Sequence, residues 1–160
     1  DEPIQGTGQQ VIPGNGSGSG DNGSNNNGNN PDDNDDNNDD TPVSNNLKIT
    51  IGPVSFNATL ENNETAKAFK RLLPMTVDMS ELHGNEKYYY LSNGLPTASS
   101  NPGTIRTGDL MLYGSTCVVL FYETFSTSYT YTRLGRITNP SGLASALGSG
   151  GVNVTFEITD

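Results

Sequence analysis

Few side chains in this chain could carry acid–base, nucleophilic or metal chemistry. His83 is the only histidine and Cys117 the only cysteine. His83 lies in a His-Gly-Asn segment typical of a turn, and Cys117 lies in an apolar run, where a thiol is inert. One histidine and one cysteine cannot assemble a zinc site, and a single cysteine allows no internal disulfide. We therefore expect no metal and no cofactor.

Aromatic residues are concentrated between residues 88 and 131. Because alternate side chains of a strand point to opposite faces, some of these rings must lie outside the core. They predict an aromatic-lined pocket for a peptide or a small ligand. The alternative is a packed core with ordinary surface tyrosines. The candidate pocket, with the two basic residues nearest in sequence, consists of Tyr90, Tyr113, Phe121, Tyr129, Arg133 and Arg106.

Short apolar and alternating runs predict strands joined by tight turns. A long loop covers residues 92–109, with a short strand inside it at 104–106. Strands joined by tight turns pair antiparallel, and about eight of them with two helices favour a closed barrel with a helix over each end. Gly135 is expected to be a bulge. The predicted barrel strands are 47–51, 54–60, 75–79, 87–91, 110–113, 117–122, 129–137 and 152–158.

Two short helices are predicted between these strands. The first starts at an N-cap, Asn62 or Asn63, and Pro74 stops it. The second starts at the N-cap Asn139, with Pro140 in the first helical position. The buried stripe of the first helix is Ala66, Phe69 and Leu73. The buried stripe of the second is Leu143, Ala144 and Leu147, before Gly148.

Residues 1–46 differ in composition from the rest of the chain. They hold nine acidic residues and no lysine or arginine, a charge of −9, whereas residues 47–160 hold nine acids and eight bases, a charge of −1. Four apolar residues cannot offset the roughly 1–2 kcal/mol per residue that ordering the backbone costs. We expect a disordered acidic tether, 1–46, and one domain, 47–160. Calcium binding by the Asp-rich segment 31–40 is disfavoured, because the turn glycine and bidentate acid of a calcium loop are missing.

Three stretches carry a resemblance to a known family. They are LKITIGPVSFNATLENNETAKAFKRLLPMTVDM, GDLMLYGSTCVVLFYETFSTSYTYTRLGRI and VNVTFE. Over residues 47–158 the chain resembles the bacterial cyclophilin-like domains, which are small secreted or lipid-anchored proteins. The resemblance implies a mostly β fold, a cyclophilin-like closed antiparallel eight-stranded barrel with two capping helices. This agrees with the strand and helix pattern, and here the barrel is preceded by the disordered tail.

Cyclophilins are peptidyl-prolyl isomerases, but the resemblance does not extend to their signature. Their Phe-His-Arg strand corresponds here to Lys87-Tyr88-Tyr89-Tyr90, which has no arginine. Their Gln-Phe-Phe strand corresponds to Val119-Leu120-Phe121, so only Phe121 matches the pocket phenylalanine. The pocket tryptophan is also missing, since the chain has no Trp. Arg133 or Arg106 could replace the lost arginine only if the fold brings one beside Phe121.

Two functions remain open at this point. The first is a non-enzymatic binding or adaptor module for a peptide or protein segment, and the alternative is a divergent peptidyl-prolyl cis-trans isomerase. The tether and the absence of a methionine at Asp1 favour an extracytoplasmic protein, secreted or anchored at the cell envelope, with a lipid anchor upstream as one means. No apolar run reaches the about 18 residues of a membrane-spanning helix. The scattered basic residues argue against nucleic-acid binding.

Overall fold

The computed structural model describes residues 44–160. All but the last three residues of the predicted tether, and the whole Asp-rich segment, lie outside the described residues. The described chain forms barrel strands, two short outer strands and two short helices. In chain order these elements are β1 Asn46–Ile51, β2 Val54–Leu60, α1 Glu64–Lys70, β3 Met75–Leu82, β4 Glu86–Tyr90, β5 Thr104–Ile105, β6 Asp109–Tyr113, β7 Cys117–Phe121, β8 Phe125–Ser126, β9 Thr132–Ile137, α2 Leu143–Leu147 and β10 Val152–Ile158.

Eight strands close into an antiparallel barrel. Their order is β7-β4-β3-β10-β1-β2-β9-β6, and β6 pairs back to β7. Tight turns join several neighbours, as at Gly52-Pro53 between β1 and β2. His83 lies exposed in the turn between β3 and β4 with φ 55°, followed by Gly84 at φ 69°. The predicted closed eight-stranded barrel and the turn at His83 are confirmed.

Strand β7 is buried on both of its faces, as its apolar sequence predicts. All five of its residues are buried. Val118 and Leu120 point into the barrel, whereas Val119 and Phe121 belong to a second apolar cluster on the outside. The alternation of strand side chains therefore divides the apolar residues between a barrel interior and an outer cluster.

Helix α1 forms where the sequence predicts it. Of the two candidate caps the structure uses Asn63, whose Oδ1 accepts a hydrogen bond from the Ala66 N–H at 2.7 Å. The Asn63 Nδ2 donates to the Arg133 carbonyl at 3.0 Å, which ties the helix to β9. Phe69 is fully buried and packs edge-to-face on Phe156, with 5.7 Å between ring centroids. This apolar contact fixes α1 over one end of the barrel.

Helix α2 begins later than predicted, so the predicted cap at Asn139 is wrong. The Asn139-Pro140 pair lies ahead of the helix, and the Asn139 Oδ1 accepts a hydrogen bond from the main chain two residues on. The N-cap is Gly142, with φ 84°, a left-handed conformation that glycine adopts at little cost. Leu143 and Leu147 are buried as predicted, but Ala144 is exposed. So short a helix lays only one edge against the barrel.

The two helices close opposite ends of the barrel. Helix α1 follows the end of β2, which lies beside the start of β9 because those strands are antiparallel. Helix α2 follows the end of β9. Since β9 runs from one end of the barrel to the other, the helices lie at different ends. The predicted arrangement of a helix over each end is confirmed.

Strand β9 is shorter than predicted and carries the predicted irregularity. It begins at Thr132, and Tyr131 instead exchanges two backbone hydrogen bonds with Ser100 in the long loop, at 2.9 and 3.0 Å. The pairing of β9 with β6 shifts register between Arg133 and Gly135, which confirms the bulge. Outside the barrel, β5 forms within the predicted short strand and pairs with β8, a strand that the sequence analysis missed.

A buried ion pair between Lys87 and Glu81 stabilises the end of the barrel near α2. Lys87 is fully buried, and its Nζ lies 2.9 Å from the Glu81 Oε1. The same ammonium donates to the carbonyls of Gly148 at 2.8 Å and Gly150 at 2.6 Å, in the segment that follows α2. The Tyr122 hydroxyl donates to the Glu81 Oε1 at 2.7 Å. Lys87 therefore holds the segment after α2 against strands β3 and β4.

Candidate functional site

The second apolar cluster lies on the outer face of β4, β6 and β7. We call it the outer aromatic cluster, because aromatic rings make up most of its volume. The long loop and the segment after β7 cover it from outside, through the β5–β8 pair. Its buried members are Ile105, Met111, Cys117, Val119, Phe121 and Tyr131, and its half-buried members are Tyr88, Tyr113, Phe125 and Tyr129.

Phe121, the predicted floor of the pocket, is sealed inside this cluster. Its side chain has no exposed surface. The Tyr131 ring meets it edge-on at 5.6 Å between centroids, and the Phe125 ring lies 5.7 Å away. Phe125 belongs to β8, so the missed outer strand is what covers Phe121. In this arrangement Phe121 supports the cluster and cannot touch a ligand.

The accessible aromatic surface is formed by tyrosines at the edge of the cluster. We call Tyr88, Tyr90, Tyr113 and Tyr129 the tyrosine rim. The Tyr88 and Tyr90 rings meet edge-on at 5.8 Å, and the Tyr113 and Tyr129 rings lie 6.0 Å apart. Tyr90 is 48% exposed, and the other three are half-buried. The tyrosine rim therefore packs on the outer aromatic cluster on one side and is partly exposed to solvent on the other.

The cross-strand register places the two halves of the rim along one line. Cys117 pairs with Tyr90 on one side and with Tyr113 on the other. Tyr90, Tyr113 and Tyr129 were predicted from the sequence, whereas Tyr88 was not. Because side chains alternate along a strand, Tyr88 lies on the same face of β4 as Tyr90. This alternation could have predicted Tyr88 from the sequence.

The predicted arginines lie on the opposite side of the cluster from Tyr90. Arg133 is half-buried and pairs with Met111, so it shares the outer face. Arg106 is exposed just after β5, and its main-chain N–H donates to the Asp109 Oδ2 at 2.9 Å. Among residues 44–160 neither guanidinium has a hydrogen bond or ion pair, and the ring contacts of Phe121 are with Phe125 and Tyr131.

The Cys117 thiol of the cluster is buried and unreactive. Burial raises the pKa of the Cys117 thiol well above its usual value, and the nearby Glu86 carboxylate adds to the shift. A thiol in this state is a poor nucleophile. Glu86 itself is fully buried and pairs with Phe121 across the strands, a position that the sequence analysis did not single out. Within residues 44–160 no group of three or more His, Cys, Asp or Glu could hold a metal.

The barrel, its two end helices and the aromatic cluster outside it define a small cyclophilin-like domain. The model of the Cyclophilin-like family matches residues 49–157, and the chain belongs to this family. No curated protein matches the chain. In the part of the chain that the structure describes, no helix has the length and apolarity needed to cross a membrane.

A solved structure shares the architecture. The solution structure of the hypothetical protein AF2241 from Archaeoglobus fulgidus aligns with a TM-score of 0.52 at 19% sequence identity. The alignment covers 76% of this chain and 99% of that one. At this identity the similarity concerns the fold alone.

Proposed function

We propose that this domain is a binding or adaptor module that takes a peptide or protein segment on the tyrosine rim. The observation that carries the proposal is the contrast between Phe121, which has no exposed surface, and Tyr90, which lies at the other end of the β4–β7 pair and is 48% exposed. The rim is a contact surface, whereas the residue that matches the isomerase pocket is out of reach.

Tyrosine suits such a surface for physical reasons. Each ring supplies a large apolar contact area and a hydroxyl, and few rotatable bonds have to be fixed on binding. Packing against the cluster already restricts the half-buried rings of Tyr88, Tyr113 and Tyr129. These side chains therefore lose little conformational entropy when a ligand binds. A preorganised aromatic surface of this kind is typical of the anchor residues of protein interfaces.

The alternative function, divergent prolyl isomerisation, has weaker support. That reaction must lower the about 18–20 kcal/mol barrier to rotation of a peptide bond, and cyclophilins achieve this beside the phenylalanine that corresponds to Phe121. Here the rings around Phe121 are those of Phe125 and Tyr131, and within residues 44–160 no basic group has a ring contact with Phe121. The observations therefore favour binding over turnover.

A peptide array tests the proposal. The full chain is applied to an array of overlapping peptides from proteins of the cell envelope, and bound peptides are then titrated in solution. We expect Tyr90→Ser to weaken binding by at least about tenfold, the loss of one well-placed aromatic anchor. The matched control is Thr59→Ser, an exposed position on β2, which should leave affinity unchanged. The proposal would be overturned if both variants lost affinity equally, or if peptides bound Tyr90→Ser as tightly as the wild-type chain.

We also propose that the protein works outside the cytoplasm, secreted or held at the cell envelope. The support is compositional. Residues 1–46 carry nine acids, no base and four apolar residues, which suits a hydrated spacer between an anchor and a domain. Fractionation of native cells combined with protease shaving tests this. We expect the domain to be lost from intact cells on shaving, and recovery of protected protein in the cytosol alone would contradict the proposal.

A further inference from the structure

Three arginines, two on β9 and one just after β5, differ from the other basic residues. Arg106, Arg133 and Arg136, which we call the arginine rim, have no hydrogen bond or ion pair from their guanidinium groups within residues 44–160. The other five of the eight basic residues all have interaction partners there. These three guanidinium groups are therefore positive charges that residues 44–160 do not neutralise through a hydrogen bond or an ion pair.

The strand register brings these arginines together. Arg133 pairs with Met111 and Arg136 with Asp109 on the next strand, so both lie on the outer face of β9. The Asp109 carboxylate also accepts the Arg106 main-chain N–H at 2.9 Å. Asp109 is buried, and this hydrogen bond fixes the backbone at Arg106. Asp109 therefore brings Arg106 close to Arg136, and within residues 44–160 its carboxylate does not pair with either guanidinium group.

The acidic counterpart is in the same chain. Residues 31–40 contain six aspartates and no base. The described chain starts at Ser44, whose carbonyl accepts a hydrogen bond from the Lys70 Nζ at 3.1 Å. Lys70 is the last residue of α1, and the cap at the other end of that helix is bonded to the Arg133 carbonyl.

These contacts bring the arginine rim within reach of the acidic segment. Helix α1 has seven residues and is therefore about 10 Å long, which puts Arg133 on the order of 20 Å from Ser44. Asp32 lies twelve residues before Ser44. A stretch of this length spans at most about 40 Å when extended and about 20 Å on average as a coil. Asp32 and Asp33, at the far end of the acidic segment, can therefore reach Arg133 without strain.

We infer that the Asp-rich segment 31–40 docks on the arginine rim of its own domain. Guanidinium groups bind carboxylates through paired hydrogen bonds, and the covalent link keeps the local concentration of carboxylates high. Each contact is exposed to solvent and weak alone, so the association is dynamic and sensitive to salt. This inference does not depend on the proposed function.

Paramagnetic relaxation in the full chain tests the inference. A spin label is placed through Asn38→Cys, since the buried Cys117 thiol does not compete for the reagent. At about 0.01 M salt, where the Debye length is about 30 Å, we expect several-fold broadening of the amide signals of Arg106, Arg133 and Arg136. The broadening should fall to background at about 1 M salt, where the Debye length is about 3 Å.

Two variants and one mixture decide between the possible outcomes. Replacing Asp32, Asp33, Asp35, Asp36, Asp39 and Asp40 with Asn leaves the domain untouched and should abolish the broadening. Arg136→Gln, at an exposed position, should reduce it. A mixture of labelled chains with unlabelled isotope-enriched chains should give no broadening. Broadening in the mixture, a site centred on Lys67 and Arg71, or persistence in the Asn variant would overturn the inference.

Discussion

Gly135 lies where β9 passes closest to β2. A Cβ atom at this position would come 2.5 Å from the Thr59 carbonyl oxygen and 3.0 Å from the Leu60 Cα, both of which are backbone atoms. Neither can move without shifting β2, so the bulge at this point requires glycine. The sequence marked Gly135 as a bulge, and the structure adds the reason that no side chain can replace it.

Gly135→Ala should therefore destabilise the domain. We expect a loss of about 1–3 kcal/mol in the free energy of unfolding, the usual cost of overpacking, measured by urea denaturation. The matched control is Gly150→Ala, because a Cβ there meets nothing within 4 Å, and it should change stability by less than about 0.5 kcal/mol. Equal effects of the two substitutions would show that the close approach of β9 to β2 is not what fixes this glycine.

Glu81 gives the domain a stabilising contribution that depends on pH. Burial pushes the pKa of its carboxyl upward, but hydrogen bonds from Lys87, Tyr122 and the Gly84 N–H outweigh it and hold the pKa below its usual value. A carboxyl with a lowered pKa in the folded state stabilises the fold above its unfolded pKa of about 4.3, and loses this contribution as the pH falls through the folded value.

Glu81→Gln should reproduce the acid state of this site at neutral pH. We expect it to cost about 2 kcal/mol near pH 7, because it leaves the buried Lys87 ammonium without its counter-charge. The difference from wild type should shrink as the pH falls through the lowered pKa of Glu81, below which both side chains are neutral. Glu157→Gln, whose partner Lys48 is 3.9 Å away and exposed, is the control and should cost no more than about 0.5 kcal/mol. A difference for Glu81→Gln that stays constant with pH would contradict this account.

At the scale of elements, helix α1 is the part of the fold whose position the sequence predicted best. Its cap at Asn63 and the buried residues Ala66 and Phe69 could be inferred from local residue types, and the structure confirms them. The predicted end at Pro74 is wrong, because the helix ends at Lys70 and Leu73 lies half-buried beyond it. The start of α2 and strand β8 could not be inferred in this way. The left-handed conformation of Gly142 and the pairing of β8 with β5 are set by the surrounding fold rather than by local preference.

Phe69→Ala tests the docking of α1 on the barrel. The fully buried ring packs on Phe156, so its loss should cost about 3–5 kcal/mol in the free energy of unfolding. Leu72→Ala, in the same segment but 42% exposed, should stay within about 0.5 kcal/mol of wild type. Thermal and urea unfolding measure both. A Phe69 variant as stable as the Leu72 variant would mean that α1 does not cover the barrel end.

The candidate site could be predicted only in part, because the surrounding fold rather than local residue preference positions the segments that cover it. Its aromatic character follows from residue types, and the alternation along β4 and β7 selects the outward-facing rings. Which rings are covered depends on the long loop and on β8, and neither has a pattern that indicates what it packs against. The sequence therefore located the aromatic face but not the burial of Phe121.

At the scale of the whole molecule, the first residues of the described chain belong to the domain. The Lys70 Nζ donates to the Ser44 carbonyl at 3.1 Å and to the Asn45 Oδ1 at 2.8 Å. Burial lowers the pKa of Lys70, and the neighbouring Lys67 adds to the shift. The Ser44 Oγ donates to the Thr159 carbonyl at 2.7 Å. These bonds join both ends of the described chain to α1.

Two truncations should therefore differ in stability. Removal of residues 1–43 should leave the unfolding midpoint unchanged at about 0.5 M salt, where long-range charge effects are screened. Removal of residues 1–46 takes away the Ser44 and Asn45 acceptors of Lys70 and should cost about 1–3 kcal/mol. Calorimetry on the three chains measures this. A midpoint that falls on the shorter truncation, or is equal in both, would contradict the placement of the domain boundary.

Exchange NMR on a bound proline-containing peptide tests the central claim, binding without turnover, most directly. A peptide selected on the array is titrated into the isotope-labelled full chain, and the cis–trans exchange of its prolyl bond is recorded in the same samples. We expect signal shifts centred on Tyr88, Tyr90, Tyr113 and Tyr129, with no exchange faster than the uncatalysed tens of seconds. Exchange that is accelerated by the wild-type chain and lost in Phe121→Ala would contradict it.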